Sequence, residues 1–244
     1  MDYEAPIDLL QNKIILITGA GDGIGRTAAI SYAKHGATVI LLGRTTTKLE
    51  ATYDEIVAAG CPEPGIAPMD LATATPDDIQ KLAEVIEQEY GRLDGLLHNA
   101  AVLGERVPVE HYDINTWMKV MHVNLHAVFL LTRIFMPLLR QSKTASLLFS
   151  SSGVGANPRA YWGAYAVSKY AMEGLAKLLM DELENASSIR VNILNPGKTR
   201  TSMRANAYPN EDPATIKTPE ALMPLYLYLM GDDSQHIKGE TLAG

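Results

Sequence analysis

Short runs of consecutive apolar residues alternate along the chain with longer segments in which apolar residues recur every three or four positions. The continuous runs, which are typical of buried parallel strands, cover 13–18, 38–43, 65–71, 93–100, 145–152, 189–196 and part of 239–244. The periodic segments, which predict helices, cover 24–36, 46–59, 76–90, 115–140, 161–185 and 218–230. Strands and helices therefore alternate through almost the whole sequence.

This alternation predicts an α/β fold: one Rossmann-type, doubly wound parallel sheet of about seven strands with helices on both faces. Apolar residues fill the predicted strands continuously, as expected where helices cover both sides of a sheet. No repeat, linker or low-complexity tract interrupts the pattern, so we expect a single domain over 1–244.

Composition narrows the class of protein. A chain of 244 residues can form a full hydrophobic core without disulfides or structural metals. Its 21 Lys and Arg residues against 28 Asp and Glu residues give a net charge of −7. This excess of acid argues against nucleic acid or an anionic membrane as the main partner.

The cysteine count and the N-terminal sequence give no indication of a disulfide, a metal site or a signal peptide. Cys61 is the single cysteine, so no internal disulfide can form, and no cluster of Cys and His suggests a metal site. The acidic N-terminal stretch lacks the pattern of a signal peptide. No apolar run approaches the roughly 20 residues of a membrane span. We therefore expect a cytoplasmic protein that binds no metal.

The first chemical signal is the glycine-rich turn TGAGDGIG, residues 18–25, between the first predicted strand and the first predicted helix. Gly19 permits a tight turn, Gly23 allows the backbone to approach a pyrophosphate, and Gly25 allows close packing of helix on strand. The free N–H groups of the following helix attract phosphate. In this position the turn predicts a nucleotide site, whereas elsewhere it would be an ordinary loop.

The end of the second strand indicates which dinucleotide binds. An acid there binds the ribose 2′-hydroxyl, whereas an arginine suits a 2′-phosphate. The strand ends in Gly43 and Arg44, followed by the possible donors Thr45 and Thr46. Asp22 opposes a phosphate unless it pairs with Arg44, and Arg44 itself has the alternative of being a solvated surface charge. We expect NADP(H) in preference to NAD(H).

The stretch YWGAYAVSKY, residues 161–170, places three tyrosines around one lysine. Tyr165 and Lys169 are four residues apart, so they share one face of a helix, whereas Tyr161 and Tyr170 do not share that spacing. A neighbouring ammonium lowers the pKa of a phenol from its usual value of about 10. Tyr165 is therefore the candidate for proton transfer, although a surface pair is the alternative for an isolated Tyr-x-x-x-Lys.

Together these motifs resemble the short-chain dehydrogenase/reductase family over nearly the whole chain. The matching segments are TGAGDGIG (18–25), Asp70 in MDL, HNAA (98–101), Asn124 in VNLHAVF, YAVSK (165–169) and NPGKTRT (195–201). HNAA departs from the family's Asn-Asn-Ala-Gly at His98 and Ala101. LITGAGDGIGR, GAYAVSK and PLYLYLMGDDS are most similar to the bacterial YciK-like oxidoreductases.

The resemblance implies a catalytic set of Asn124, Ser152, Tyr165 and Lys169. The family's serine lies 13 residues before the tyrosine, at Ser152, with Ser151 as the alternative. Ser152 would hydrogen-bond the substrate oxygen and Tyr165 would transfer a proton. Lys169 would lower the pKa of Tyr165 and hold the nicotinamide ribose. Asn124 would position a water that connects the proton relay to solvent.

The same resemblance implies a dinucleotide-binding part over about 13–150 and a catalytic and substrate part over about 150–244. The expected cofactor contacts are Gly19, Gly21, Asp22, Gly23, Ile24, Gly25, Arg44, Asp70, Leu71, Asn99, Ala100, Tyr165, Lys169, Pro196, Gly197, Thr199 and Thr201.

The implied activity is reversible hydride transfer between NADP(H) and a small carbonyl compound or alcohol. The substrate loop is expected over 200–219, where Arg200 and Arg204 are either anion contacts or solvated charges. Helices 115–140 and 161–185 are expected to form the interface of a homodimer or homotetramer. The rival functions are a non-catalytic dinucleotide-binding sensor or scaffold, and a sugar-nucleotide epimerase or dehydratase.

Overall fold

The computed structural model describes residues 3–184 and 187–244. Seven parallel strands form one sheet in the order β3-β2-β1-β4-β5-β6-β7, which confirms the predicted fold class. The strands are β1 (Ile14–Thr18), β2 (Thr38–Gly43), β3 (Gly65–Pro68), β4 (Gly95–His98), β5 (Ser146–Ser150), β6 (Arg190–Asn195) and β7 (Thr241–Ala243).

The helices cover both faces of this sheet. They are α1 (Gly23–Lys34), α2 (Thr46–Ala58), α3 (Pro76–Tyr90), α4 (Ile114–Met121), α5 (Ala127–Arg140), α6 (Gly153–Ala156), α7 (Gly163–Leu183), α8 (Ser202–Ala207) and α9 (Met223–Met230). Single 3₁₀ turns occupy Val109–His111, Pro213–Thr215, Pro219–Leu222 and Asp232–Ser234.

Successive residues of each central strand enter two different cores. Leu147 of β5 packs with α3, α5 and α7 on one face. Its neighbour Leu148 packs with α1 and α9 on the other face. Both side chains are fully buried. This two-sided burial explains why the strands contain continuous apolar residues rather than an alternating pattern.

The helix and strand ends follow local signals where those signals are strong. Helix α3 matches its predicted range because Thr75 and Asp78 form a capping box, Pro76 occupies the first turn, and Gly91 ends the helix in a left-handed conformation. Strand β5 ends at Ser150, two residues before the predicted end, so the next two serines lie beyond the strand.

The predicted helix over 161–185 is α7, which begins at Gly163; residue 185 lies outside the described residues. Tyr161 precedes the helix and has a positive φ of 70°. The predicted helix over 115–140 is continuous in direction but contains a π-helical turn over His122–His126, between α4 and α5. Neither feature has a strong local sequence signal.

One helix among the described residues, Ile114–Arg140, has the length and mean hydropathy (1.4) of a membrane span. This helix is more apolar than expected from the sequence, where no segment was predicted to resemble a membrane span. However, 56% of its most apolar stretch is buried within the fold. Packing against α3 and α7 therefore accounts for this composition.

The order of the strands determines where a ligand site forms. The chain proceeds outward from β1 to β3, then returns to place β4 on the other side of β1. At such a switch point the loops after the two strands diverge and leave a crevice at the carboxyl edge of the sheet. The glycine turn follows β1 and the HNAA segment follows β4, so both lie at this crevice.

Candidate active site

The glycine turn brings α1 into direct contact with the backbone of β1. A methyl group on Gly25 would lie 2.3 Å from the carbonyl oxygen of Gly19 and 2.5 Å from Nδ2 of Asn99. Gly19 and Gly23 have positive φ angles of 73° and 51°. Side chains at these three positions would clash or strain the backbone, so the N-terminus of α1 opens directly onto the crevice.

Thr18 joins the glycine turn to the end of β4. Its Oγ1 accepts hydrogen bonds from the backbone N–H groups of Asn99 (2.9 Å) and Ala100 (3.0 Å). Nδ2 of Asn99 donates to the carbonyl oxygen of Thr18 at 3.2 Å. Thr18 was not predicted as a site residue, because its partners are about 80 residues away in the sequence.

Asp22 caps α1 and forms an ion pair that the sequence did not reveal. Its carboxylate accepts from the N–H of Gly23 at 2.7 Å and lies 2.5 Å from Nζ of Lys48. Asp22 therefore pairs with Lys48 and not with Arg44, which was the alternative that the sequence left open. The Lys48 hydrogen bond lowers the pKa of Asp22, and Ser202 adds a weaker contact at 3.4 Å. Lys48 thus neutralises the acid inside the turn.

A cavity of about 340 Å³ runs along the carboxyl edge of the sheet. Its lining includes most of the predicted cofactor contacts: Gly19, Gly21, Asp22, Gly23, Ile24, Arg44, Asp70, Leu71, Asn99, Ala100, Tyr165, Lys169, Pro196 and Thr201. Lining residues that were not predicted as contacts include Thr45, Lys48, Met69, Lys119, Ser202 and Met203.

Three predicted cofactor contacts lie outside the lining of this cavity. Gly25 is buried beneath the turn, where it contacts the backbone of Gly19. The hydroxyl of Thr199 donates to the carbonyl oxygen of Pro196 at 3.1 Å. The N–H of Gly197 donates to Oδ1 of Asn195 at 3.0 Å. Their contacts shape the loops around the cavity.

Arg44 and Lys48 place positive charges at the end of the cavity that is lined by the start of α2. Arg44 lines this end and forms no ion pair with any side chain in the described part of the chain. Thr45 precedes α2, and its side chain makes no capping hydrogen bond. Gly43 contributes no acid, and an added methyl group there would pack tightly against Leu49, at 3.1 Å from its Cδ2. This end can therefore accept an anion.

Tyr165 lies in the first turn of α7, facing the cavity, with 7% of its surface exposed. Burial raises its pKa above 10.0, and the neighbouring Ser152 side chain acts in the opposite direction. The expectation that Lys169 lowers this pKa below its usual value is contradicted. Nζ of Lys169 lies 6.0 Å from the centre of the Tyr165 ring, so desolvation dominates.

Lys169 is buried on the same face of α7, one turn after Tyr165. Its Nζ donates to the carbonyl oxygen of Ser150 at 2.7 Å, and 3% of the residue is exposed. Burial lowers the pKa of Lys169 to about 8, while Glu173 raises it. The lysine that lies beside the candidate acid is thus close to losing its own charge under mildly alkaline conditions.

Each of the three consecutive serines has a different partner. Oγ of Ser150 is 2.9 Å from the hydroxyl of Tyr226, and Ser151 donates to a carboxylate oxygen of Glu173. Ser152 precedes α6 and contacts Tyr165. Ser151 lines the cavity and Ser152 does not, but the contact with Tyr165 supports Ser152 as the third member of the predicted set.

Asn124 occupies the π-helical turn and is fully buried. Its amide accepts from the N–H of Val102 at 2.8 Å and donates to the carbonyl oxygen of Val102 and to Oγ of Ser168, each at 3.0 Å. The side chain joins the loop after β4 to α7. It lies outside the cavity lining, and its visible role is to hold these two segments together.

The remaining candidates from the tyrosine segment and the histidines lie elsewhere. Tyr161 and Tyr170 are exposed by 58% and 61%. His98 is buried against Thr132, with 2.8 Å between Nε2 and Oγ1, and burial lowers its pKa to about 3. Across residues 3–184 and 187–244, no group of His, Cys, Asp or Glu side chains could hold a metal ion.

Apolar and aromatic side chains border Tyr165 on the side of the predicted substrate loop. Trp162 lies 5.8 Å from the Tyr165 ring, between ring centroids, and packs in one cluster with Tyr208. The guanidinium of Arg106 lies 4.7 Å from both the Trp162 and Tyr208 rings. Arg204 pairs with a carboxylate of this same loop, so it is not a free anion contact.

Comparisons with known proteins agree with this geometry. The model of the short chain dehydrogenase family matches residues 13–212. The uncharacterized oxidoreductase YciK of Escherichia coli (strain K12) is 50% identical over 241 residues, covering 99% of this chain and 95% of the relative.

Two solved structures are also similar over almost their full length. A short chain dehydrogenase from Shigella flexneri 2a complexed with NADP is 50% identical, with a TM-score of 0.95 and coverage of 98% and 99% of the two chains. One from Escherichia coli CFT073 complexed with NADPH is 51% identical, with a TM-score of 0.95 and 98% coverage of both. With this identity, fold and family match, the chain belongs to the short-chain dehydrogenase family of oxidoreductases.

Proposed function

We propose that this oxidoreductase interconverts a small carbonyl compound and its alcohol, with NADP(H) as cofactor and Asn124, Ser152, Tyr165 and Lys169 as its catalytic set. One observation carries the proposal. Ser152 contacts Tyr165, with Lys169 one turn away, at a cavity that continues to the glycine turn. A carbonyl group held between Ser152 and Tyr165 would receive both hydrogen bonds.

The residues of the cavity fit a dinucleotide with a 2′-phosphate. Gly19, Gly23 and Gly25 bring the α1 N–H groups to the crevice without an intervening side chain. Arg44 and Lys48 supply two positive charges against the one negative charge of Asp22. The NADP and NADPH complexes of the similar structures support the same choice.

A bound nicotinamide cofactor would supply the hydride. Ser152 would donate a hydrogen bond to the substrate oxygen and stabilise its developing charge. Tyr165 would donate the proton in the reductive direction. Its raised pKa suits this role, because the phenol retains its proton at neutral pH. Lys169 would bind the nicotinamide ribose, and Asn124 would hold the loop that directs a water toward the relay.

Met203 lines the cavity and packs with Trp162 and Tyr208 beside Tyr165, which supports a small substrate with apolar groups. We propose a cytoplasmic enzyme that acts on such molecules, without a nucleic acid or membrane partner. The non-catalytic sensor is less well supported, because a sensor has no need of Ser152 beside Tyr165. A screen of carbonyl compounds with NADPH tests the proposal. Absence of turnover together with tight NADPH binding would favour the sensor.

Replacing Arg44 by Ala should weaken NADPH binding by about 1.5–3 kcal/mol, the usual range for charge-assisted hydrogen bonds, while NADH binding changes little. Lys48→Met should weaken NADPH binding in the same direction, because Asp22 then repels the phosphate without compensation. Fluorescence titration with each cofactor measures both effects. Lys34→Ala, at the end of α1, is the matched control. Equal losses for NADPH and NADH would show that Arg44 does not select the phosphate.

Replacing Ser152 by Ala should reduce turnover about a hundredfold, as expected for one lost donor to a developing oxyanion, with NADPH affinity preserved. Ser151→Ala should have a milder effect, because Ser151 donates to Glu173 rather than to Tyr165. Steady-state kinetics on the two variants make the comparison. The opposite ranking would move the catalytic serine to position 151.

Replacing Tyr165 by Phe should reduce carbonyl reduction by about a hundredfold or more, because only the proton donor is lost. Tyr161→Phe and Tyr170→Phe serve as controls, since both side chains are exposed. The raised pKa of Tyr165 also predicts that the phenol keeps its proton through neutral pH, so ionisation of Tyr165 should not limit reduction there. Near-normal turnover of the Phe variant would exclude Tyr165 as the acid.

We also propose that the chain forms a homodimer or homotetramer. Val167, Tyr170 and Leu178 are exposed along one stripe of α7, and Phe129 is exposed on α5. Leu178→Glu should lower the mass measured by light scattering, whereas Val57→Glu, at an exposed position on α2, should not. A monomeric wild-type protein at micromolar concentration would contradict this proposal.

A further inference from the structure

Glu173 is a buried acid that the proposed function does not use. It lies on α7, four residues after Lys169, and 6% of its surface is exposed. Removing a carboxylate from water is costly unless hydrogen bonds and an opposite charge compensate it. The groups around Glu173 should therefore show how the cost of its burial is compensated.

The carboxylate of Glu173 contacts the loop that carries the catalytic serine. Ser151 donates a hydrogen bond to its Oε1. A methyl group on Gly155 would lie 2.8 Å from Oγ of Ser151, 2.9 Å from Oε1 of Glu173 and 3.1 Å from Cβ of Lys169. The backbone of α6 therefore closes over the pair without room for a larger side chain.

The compensating charge is the ammonium of Lys169. Residues four apart on a helix are neighbours, so Glu173 faces the same interior as Lys169. The Nζ group donates to Ser150, and no ion-pair contact to Glu173 occurs within 4.0 Å among the described residues. The interaction is one of charge across a buried space. The negative charge of Glu173 raises the pKa of Lys169 and so opposes the effect of burial, which lowers that pKa to about 8.

Among the described groups around Lys169, the other titratable side chains cannot replace this negative charge. They include His98 on β4, Lys119 on α4, which lines the same cavity, Tyr165 on α7, and Tyr226 on α9, whose hydroxyl contacts Ser150. Burial lowers the pKa of His98 and raises those of Tyr165 and Tyr226, so each stays neutral near pH 7. Lysine, arginine and histidine supply no negative charge in any form.

We propose that Glu173 is a positioning residue: its carboxylate holds Lys169 in the ammonium form and, through Ser151, fixes the backbone that carries Ser152. The proposal rests on the proposed function, because it assigns Glu173 a task only if Lys169 acts with its charge. One hydrogen bond and one charge interaction of the same side chain thereby support the serine and the lysine of the catalytic set.

The test is Glu173→Gln, which keeps the shape and an oxygen that can accept from Ser151 but removes the charge. NADPH affinity and the rate of carbonyl reduction are measured from pH 6 to pH 10. In the variant, the alkaline decline of both quantities should begin about one pH unit lower than in the wild type. At a fixed pH within the declining range, this shift corresponds to a roughly tenfold lower value. Activity near pH 6 should remain close to the wild-type value, because Lys169 is still protonated there.

Two further variants separate charge from structure. Glu182→Gln removes an exposed carboxylate from the last turn of α7 and should leave the profile unchanged. Glu173→Asp keeps the charge but withdraws it by one methylene. The alkaline decline of activity should therefore begin about half a pH unit lower than in the wild type. This variant also provides the test if Glu173→Gln does not fold, and an unchanged Asp profile would then overturn the proposal.

A wild-type profile in Glu173→Gln, or an equal loss at every pH, would also overturn the proposal, since neither result reflects the charge of Lys169. Lys169→Ala distinguishes this failure from that of the proposed function. If Lys169→Ala retains activity, the catalytic assignment fails. If Lys169→Ala is inactive while Glu173→Gln keeps the wild-type profile, only the role of Glu173 fails.

Discussion

The site depends on one contact, the approach of α1 to the carboxyl ends of β1 and β4. Gly25 has no space for even a methyl group against Gly19 and Asn99. Thr18 then holds the loop after β4 in place with two hydrogen bonds from backbone N–H groups. Because this packing fixes the crevice between the two loops, the cavity, the α1 N-terminus and the tyrosine of α7 have a constant relative position.

Negative side chains offset part of the positive charge within the site. Lys48 neutralises Asp22 within the glycine turn, which leaves Arg44 as the net positive charge at that end. Burial favours the neutral forms of both Tyr165 and Lys169. A protonated tyrosine is what an acid requires, but a neutral lysine would weaken its own contacts. The buried carboxylate of Glu173 acts against that loss.

The sequence predicted the sheet and most helix ranges, and most of the predicted cofactor contacts line the cavity, because these features depend on local patterns and glycine turns. It could not predict Lys48 as the partner of Asp22, since the two are 26 residues apart and meet only after α2 packs beside the turn. The bonds of Thr18 and Ser151 likewise depend on distant segments. The expected pKa of Tyr165 was wrong because a helical spacing specifies a neighbour but not the degree of desolvation.

Because of the π-helical turn at His122–His126, the orientation of α4 relative to α5 depends more on the number of residues in the turn than on their identity. Each residue of an α-helix rotates the chain by about 100°. Deleting one residue from the turn would restore a regular helix, but it would rotate either α4 or α5 by that angle and remove Asn124 from Val102 and Ser168. Substitutions at exposed positions such as His126 leave this rotation unchanged. Homologous chains are therefore expected to vary in side chains here while keeping the number of residues constant.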